Sequence, residues 1–462
     1  MAHASLVELI KLAGLPASAA DAVEIAGTEP VFATRYKPVA PGAAAMAARG
    51  LAAAELWALK TGRRQQVRVN MRAAAAALRG SRYLRINGEK PAEDPEKITG
   101  FYPLRDGRWM YLHCNFFNLR DCNLAVLGAP QQRDAVARAV AKWDGLELEN
   151  AIFEGGGACS FVRSEEEWRA LPQMQAVARL PLLEIVKIGD APAQPLPAGD
   201  RPLSGVRVLD LTRVLAGPTC ARTLAEHGAD VLRVTREDLA DMGPTDFDTG
   251  IGKLCTHIDL RNPPEAETMR GLVRECDVFS QSYRPGALAH HGLSPEALAQ
   301  VRPGIVYVTL SAWGREGPWS GRRGYDTVVQ SANGMAWRPN NERPAFLPYS
   351  AQDYVAGYVL AFGAMVALAR RVREGGSWLV RASLAGAGHW ILQHGVLEPS
   401  EYAHLPVELP ADELRPLLME HESPIGRITH LAPVVQMSET PARWARPSVP
   451  RGYHKPVWPP RG

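Results

Sequence analysis

The sequence predicts an α/β protein: a doubly wound, mostly parallel sheet flanked by helices, with a smaller mixed α+β domain beside it. Three observations carry this. From Leu203 onward, short β-branched runs alternate with helical patterns, the mark of βαβ units and a parallel sheet. Between Asn87 and Leu171 the pattern changes to a hairpin signal followed by short helices. A length of 462 residues at 46% apolar and 22% charged content suffices for two cores of ordinary globular composition and excludes a largely disordered chain.

The elements follow in order. Residues 1–40 are alanine-rich with two short helical patterns. Ala43 to Thr61 predicts a helix stopped by Gly62 in a C-cap, and Gln66 to Met71 a strand. The turn-rich segment Asn87 to Thr99 leads into TGFYPLRDGRWMYLHC, where Asp106-Gly107 between two apolar runs signals a hairpin. Helices are expected over Asp134 to Trp143 and Glu165 to Leu171. The second is opened by Ser164 with Glu167 three residues on, a capping box. The run Glu154-Gly155-Gly156-Gly157 reads as a turn, and Pro192 to Arg201 as a linker.

Then come a strand Val206 to Leu211, a turn Arg213 to Thr219, a helix Cys220 to His227 and a strand Val231 to Val234. A strand Ile258 to Leu260, a helix Pro264 to Glu275, a strand Val278 to Ser282 and the turn Arg284-Pro285-Gly286 continue the alternation. A helix Pro295 to Gln300 and a strand Ile305 to Leu310 precede the loop GREGPWSGRRGYD. The expected division is 1–80, a helix and strand segment; 81–191, the small mixed domain; 192–202, a linker; 203–395, the large domain; and 396–462, a proline-rich return segment.

A formal net charge of +3 is small for this length and disfavours nucleic acid as a partner. No apolar run approaches an uncharged membrane span, and Glu8 and Lys11 interrupt the N-terminal pattern that a secretory signal needs, so a cytoplasmic protein without a membrane partner is expected. Six scattered cysteines with no C-x-x-C pair predict buried free thiols and no metal site.

The turn after Val206 to Leu211 lies at the carboxyl end of a strand, where open parallel sheets bind ligands, so a phosphate-bearing ligand is the first to consider. Its residues are LAGPTC. They match neither the G-x-G-x-x-G of dinucleotide sites nor the G-x-x-x-x-G-K-[ST] of the P-loop.

The chain also carries an internal repeat. TGRRQQVRVNM and EGGSWLVRASL have the same pattern, each after a long Ala/Leu helix. Pairing Arg68 with Arg381 sets Ala40 opposite Asp353. Only the second copy has a carboxylate ahead of its helix. Asp353 has two readings, a first-turn acid that satisfies free backbone donors, or a carboxylate nucleophile beside N–H groups that would stabilise an oxyanion.

Four stretches in order, GVRVLDLTRVLAGPTCARTLAEHGADVLRV, SYRPGALAHHGLSPEALAQVRPGIVYVTLSAWGREGPW, RRGYDTVVQSANGM and DYVAGYVLAFGAMVALARR, resemble the family III coenzyme A transferases. The resemblance implies a Rossmann-like CoA-binding domain over 203–395, with Asp353 as the nucleophile. It implies CoA contacts at Val214, Leu215, Ala216 and Gly217, at Arg236, and at Arg323 and Tyr325. It further implies acyl-CoA and carboxylic acid substrates, with CoA as a thioester substrate and no permanently bound cofactor. Chemistry would run through an aspartyl anhydride and an aspartyl-CoA thioester, in a site closed to water by a glycine-rich loop of the small domain.

This chain departs from that pattern in three ways. No tetraglycine precedes TGFYPLRDG, Ser282 stands where relatives often have asparagine, and the segment Thr235 to Lys253 is shorter. A non-catalytic CoA-binding subunit is therefore an alternative. An α-methylacyl-CoA racemase is disfavoured, because Tyr325 stands where those relatives carry a histidine. The order of parts is altered too. Small-domain residues come first and the CoA-binding stretch lies mid-chain, so the chain resembles a rearranged, partly duplicated member. A single chain, as monomer or homodimer, would then complete what relatives build as two interlocked rings.

Overall fold

The computed structural model describes residues 1–92, 97–239 and 243–461. Its first part contains α1 (Ala2–Leu12), β1 (Val23–Ala26), α2 (Val39–Thr61), β2 (Val67–Asn70) and α3 (Met71–Ala77). α2 stops where the sequence says, Gly62 adopting φ 76 and donating to Ala58 O. A small domain follows: β3 (Arg85–Ile86), β4 (Gly100–Pro103), β5 (Trp109–Leu112), α4 (Phe117–Leu127), α5 (Arg133–Val140), α6 (Gly145–Glu154) and β6 (Cys159–Phe161). The hairpin forms as expected, β4 antiparallel to β5 across Asp106-Gly107. The segment Asn87 to Thr99 lies partly outside the described residues, as does Thr235 to Lys253.

After α7 (Glu165–Ala170), which opens with the expected Ser164/Glu167 capping box, come α8 (Pro172–Arg179) and β7 (Glu184–Gly189). The large domain then runs through β8 (Arg207–Leu211), α9 (Ala216–Glu226), β9 (Asp230–Thr235), α10 (Pro244–Gly250), β10 (Lys253–His257), α11 (Pro263–Glu275) and β11 (Val278–Gln281). It continues with α12 (Pro295–Val301), β12 (Val306–Ser311), α13 (Asp326–Ala332), α14 (Ala351–Glu374), β13 (Ser377–Ser383) and α15 (Leu384–Gln393). Finally β14 (Leu418–Ser423), β15 (Gly426–Leu431) and β16 (Val435–Met437) give the return segment more regular structure than its prolines suggest.

The main sheet has the order β10-β9-β8-β11-β12-β13-β7, parallel throughout except for β7. The direction of winding reverses between β8 and β11, which makes the sheet doubly wound and puts a ligand crevice at the carboxyl ends of those two strands. Several boundaries differ from expectation: α2 begins at Val39 rather than Ala43 and α5 ends at Val140 rather than Trp143, and two more lie in the large domain. α9 starts at Ala216 rather than Cys220, because Pro218 falls in the first helical turn, where its missing N–H costs nothing. The strand expected at Ile258 to Leu260 lies earlier, at Lys253–His257, paired from Lys253↔Val231 to His257↔Thr235. Its polar side chains hid it from a search for apolar runs.

The expected domain division also changes. β7, counted with the small domain, is the edge strand of the large sheet. The stretch 192–202 is strapped to the body rather than free: Gln194 N donates to Arg371 O at 3.2 Å, and Arg201 donates to Glu226 O and Arg443 O. Residues 1–80 share one apolar core with the large domain, α2 lying along α14. By length and composition α14 is the one helix among the described residues able to cross a membrane, an exception to the sequence expectation. Of its most apolar window 89% is buried inside the protein, as in a core helix. All six cysteines are unpaired, and five are buried.

The repeat is visible as two three-strand patterns. β2 has β1 parallel on one side and β16 antiparallel on the other, while β13 has β12 parallel and β7 antiparallel. In each case the antiparallel strand comes from the other half of the chain.

Candidate active site

The site begins where β8 ends. Asp210, fully buried, pairs with Lys253 at 2.8 Å, and Lys253 Nζ also donates to Pro218 O at 2.9 Å. The Thr212 N–H and hydroxyl donate to Asp210 Oδ1 at 3.0 and 2.5 Å. This knot fixes the loop between β8 and α9. Within it Val214 is held at φ 73, a left-handed conformation that is costly for a β-branched residue and persists only where the surroundings enforce it.

Of the four residues expected to make the first turn's contacts, Val214 and Ala216 line the cavity at the ends of β8 and β11, and Leu215 and Gly217 do not. Gly217 is buried, and a Cβ there would stand 2.4 Å from Thr212 Cβ. Its missing side chain lets α9 close on the Asp210 knot, rather than letting a ligand approach the backbone.

Asp353 stands in the first turn of α14, on the cavity wall and 7% exposed. The cap of that helix comes from elsewhere. Asp326 Oδ2 accepts from Gln352 N at 2.9 Å and Asp353 N at 3.1 Å, and Asp326 Oδ1 accepts from Gln330 Nε2 at 2.5 Å. Both sequence readings of the helix start are thereby corrected: Asp353 does not cap its own helix, and those two N–H groups are not open to an oxyanion. The Asp353 carboxylate accepts no hydrogen bond from the described residues.

Burial, and then the Asp326 carboxylate, push the Asp353 pKa well above the usual carboxylate range. Burial raises Asp326 as well, against the pull of its hydrogen bonds to Asp353 N, Gln330 and Gln352 N. One turn beyond Asp353, a Cβ on Gly357 would lie 2.5 Å from Ala216 O. This close approach of α14 to the start of α9 brings Asp353 and the β8 loop to one cavity.

The cavity, about 320 Å³, opens at the carboxyl ends of β8 and β11. Arg213 follows β8, and Ser282, Tyr283 and Arg284 follow β11. Arg322, Arg323 and Tyr325 come from the loop before α13, and Phe116 and Asn118 from the small domain. Ser282 Oγ accepts from Arg213 N at 3.3 Å, joining the first two loops. Arg213 lies over the Phe116 ring at 5.2 Å. Arg322 packs on Phe153 at 4.2 Å and donates to Asn150 Oδ1 at 3.0 Å, yet its Nη1 is buried with no partner among the described residues. A buried guanidinium N–H without an acceptor suits an anionic oxygen from a ligand.

Tyr325 stacks on His113, ring centroids 4.0 Å apart at 11°. Burial drops the pKa of that histidine to about 3, so it packs as a neutral ring. The glycine run after α6 turns the chain as expected and also reaches the site: a Cβ on Gly156 would stand 3.3 Å from Arg323 Nη1.

Of the other predicted contacts, Arg323 and Tyr325 line the cavity and Arg236 does not. Arg236 follows β9, one strand removed from the reversal, and pairs with Asp238. Sequence reading missed Arg213, Arg284, Arg322, Asp326 and Phe116. The adjacent arginines of RRGYD were the one available signal for Arg322; nothing local marked Asp326 as the cap of a helix that starts 25 positions later.

Residues 203–407 match CoA-transferase family III. The chain is 30% identical over 326 residues to the acetyl-coenzyme A transferase nodX of Hypoxylon pulicicidum, covering 64% of this chain and 54% of that protein. It is 31% identical over 209 residues to the human succinyl-CoA:glutarate CoA-transferase, covering 42% and 48%. With the formyl-CoA:oxalate CoA-transferase of Rhodopseudomonas palustris it shares 33% identity over 196 residues, 39% of this chain and 46% of that one. The chain thus spans about half the length of the curated relatives it matches. A CAIB/BAIF family crystal structure from Brucella suis matches at TM-score 0.40 and 24% identity, covering 50% of this chain and 65% of that one.

Proposed function

We propose that this chain, whose residues 203–407 match CoA-transferase family III, moves CoA from an acyl-CoA thioester to a carboxylic acid with Asp353 as the nucleophile. The observation that carries the reading is Asp353 itself. It is a buried carboxylate relieved of cap duty, free of hydrogen bonds from the described residues, on the wall of a cavity that four arginines also line.

In this reading Arg213, Arg284, Arg322 and Arg323 hold the phosphates of CoA, and Val214, Ala216 and Tyr325 shape the channel to Asp353. An Asp353 oxygen attacks the thioester carbonyl, the C–S bond breaks, and the CoA thiolate leaves a mixed anhydride behind. The thiolate attacks the aspartyl carbonyl, releasing the donor acid and forming aspartyl-CoA. The acceptor carboxylate then displaces the thiolate, and the thiolate attacks the acceptor carbonyl of this second anhydride. New acyl-CoA departs and Asp353 is restored. Burial favours the sequence because it keeps water from the anhydrides. A racemase would need a second base, and burial holds the proton on Tyr325.

The test is to incubate the protein with acyl-CoA and search by peptide mass spectrometry for CoA in thioester linkage to Asp353. An adduct on the wild type that is absent from Asp353→Asn is expected, together with transfer to added acids. CoA binding without adduct or transfer would favour the non-catalytic alternative, and absence of CoA binding would defeat both.

A further inference from the structure

A second cavity, about 220 Å³, lies against the same sheet edge and shares Tyr283, Arg284, Pro285, Leu310 and Ser311 with the first. Strand register gives its floor. Across β11, β12, β13 and β7 the residues Phe279, Tyr307, Leu379 and Val186 stand in one row, apolar as a helix-covered parallel sheet requires. Two residues further along, on the same face, the row becomes Gln281, Thr309, Arg381 and Glu184. Ser311 and Ser383 form the next. The face thus turns from apolar to polar at the strand ends, where open α/β sheets bind ligands.

The polar row has a definite chemistry. Gln281 Nε2 donates to Thr309 Oγ1 at 2.7 Å, and Gln281 Oε1 accepts from Tyr283 N at 2.7 Å. Gln281 also engages the Tyr307 hydroxyl, so the open donors are the hydroxyls of Thr309, Ser311 and Ser383, which accept from Gln281, Gly314 N and Gly386 N and donate to none of the described residues. Arg381 and Arg315 are both held by Glu184, at 2.5 and 3.2 Å, and Arg315 also by Glu316. Two arginines against two glutamates leave no spare charge at that end, and Arg284, which the two cavities share, is taken up by the CoA phosphates in the transferase reading, so a second carboxylate finds no unclaimed cation beside the row. A hydroxyl or keto oxygen finds hydroxyl donors, between apolar walls that include Leu180, Leu288 and Leu293.

We propose that this cavity is the subsite for the carbon chain of the transferred acyl group or acceptor acid, and that it selects an aliphatic acid bearing a neutral oxygen substituent. The inference rests on the transferase reading: the chain would leave the reacting carboxyl near Asp353 and pass over the ends of β12 and β13, where Ser311 and Ser383 stand.

The experiment compares acetate, hexanoate and ω-hydroxyhexanoate as acceptors for the wild type, Leu288→Trp, which fills the cavity, and Thr309→Val, which breaks the polar row. The wild type should favour ω-hydroxyhexanoate over acetate by about tenfold or more in kcat/KM. Leu288→Trp should bring that ratio close to one, and Thr309→Val should remove the preference of ω-hydroxyhexanoate over hexanoate. Circular dichroism and CoA binding confirm that each variant is folded. Unchanged ratios in folded variants would overturn the subsite. If no protein transfers CoA to any acid, the transferase reading fails on its own, and equilibrium binding of the two six-carbon acids still decides the cavity. Binding weakened in Leu288→Trp supports it, and equal binding in both proteins removes it.

Discussion

The starts of α2 and α14 are built alike, and one difference in side chain decides their chemistry: alanine in the first, aspartate in the second. In α14, Asp326 accepts the N–H groups of Gln352 and Asp353; in α2, Glu29 accepts those of Val39 at 2.7 Å and Ala40 at 3.1 Å. The internal repeat sets Val39 on Gln352 and Ala40 on Asp353. Burial raises both capping acids, Glu29 to about 7 and Asp326 to about 6. The likeness extends one strand deeper. A Cβ on Gly50 would meet Val67 and Val435 at 2.7 Å, and one on Gly363 would meet Val380 at 2.6 Å and Leu183 at 2.8 Å. Capping and helix-to-strand contact are therefore common structural property of the two halves. What the second half adds is a carboxylate at the uncapping position and the parallel strands beyond β12 that bring arginines to it.

The comparison breaks first at Asp353. Asp353→Asn should lower transfer by about a thousandfold or more, since the attacking group itself is lost. Its thermal midpoint should equal or exceed that of the wild type, because a buried unpaired carboxyl has gone. A large loss of stability with modest loss of rate would return Asp353 to a structural role.

Ala40→Asp is the reciprocal change. Ala40 is 1% exposed, and an acid there should cost about 3 kcal/mol or more in denaturant unfolding. Combined with Asp353→Ala it should restore no transfer. Recovered activity would mean that the two helix starts are interchangeable.

Gly50→Ala and Gly363→Ala should each cost about 1–3 kcal/mol by overpacking, and by similar amounts. A cost confined to one of them would limit the repeat to its backbone.

The smallest expected effect is a pH dependence. The folded Asp326 carboxyl holds its proton more tightly than the unfolded one. Its contribution to stability is therefore greatest below the unfolded pKa and falls as pH rises from the ordinary 3.8 towards about 6. Asp326→Asn should show a shallower decline than the wild type over that window in thermal melts, and removing the like charge should move the acid limb of the transfer rate to lower pH. A parallel decline in both proteins would detach Asp326 from this behaviour.

Much of this was legible in the sequence because its signals are local. The Asp106-Gly107 hairpin, the Ser164 capping box and the Gly62 stop each depend on neighbouring residues, and each formed. Asp353 stood out because its counterpart is alanine. The features missed depend on distance. Asp326 caps a helix that a loop separates from it, Arg213 and Arg284 meet only because β8 and β11 are neighbours, and β7 pairs with a strand almost two hundred positions away. Residue type also misled. Lys253, His257 and Thr256 concealed a parallel edge strand, and Gly217 resembled a ligand-binding glycine while serving helix closure.

The exchange of edge strands between the halves has a consequence for chain integrity. Residues 192–202 are the covalent bridge between a segment that donates β7 and a segment that donates β16, and the bridge is largely exposed. A protease cut there would divide the polypeptide without dividing the molecule. Each fragment would still hold a strand hydrogen-bonded into the other's sheet, and the two would separate only on unfolding.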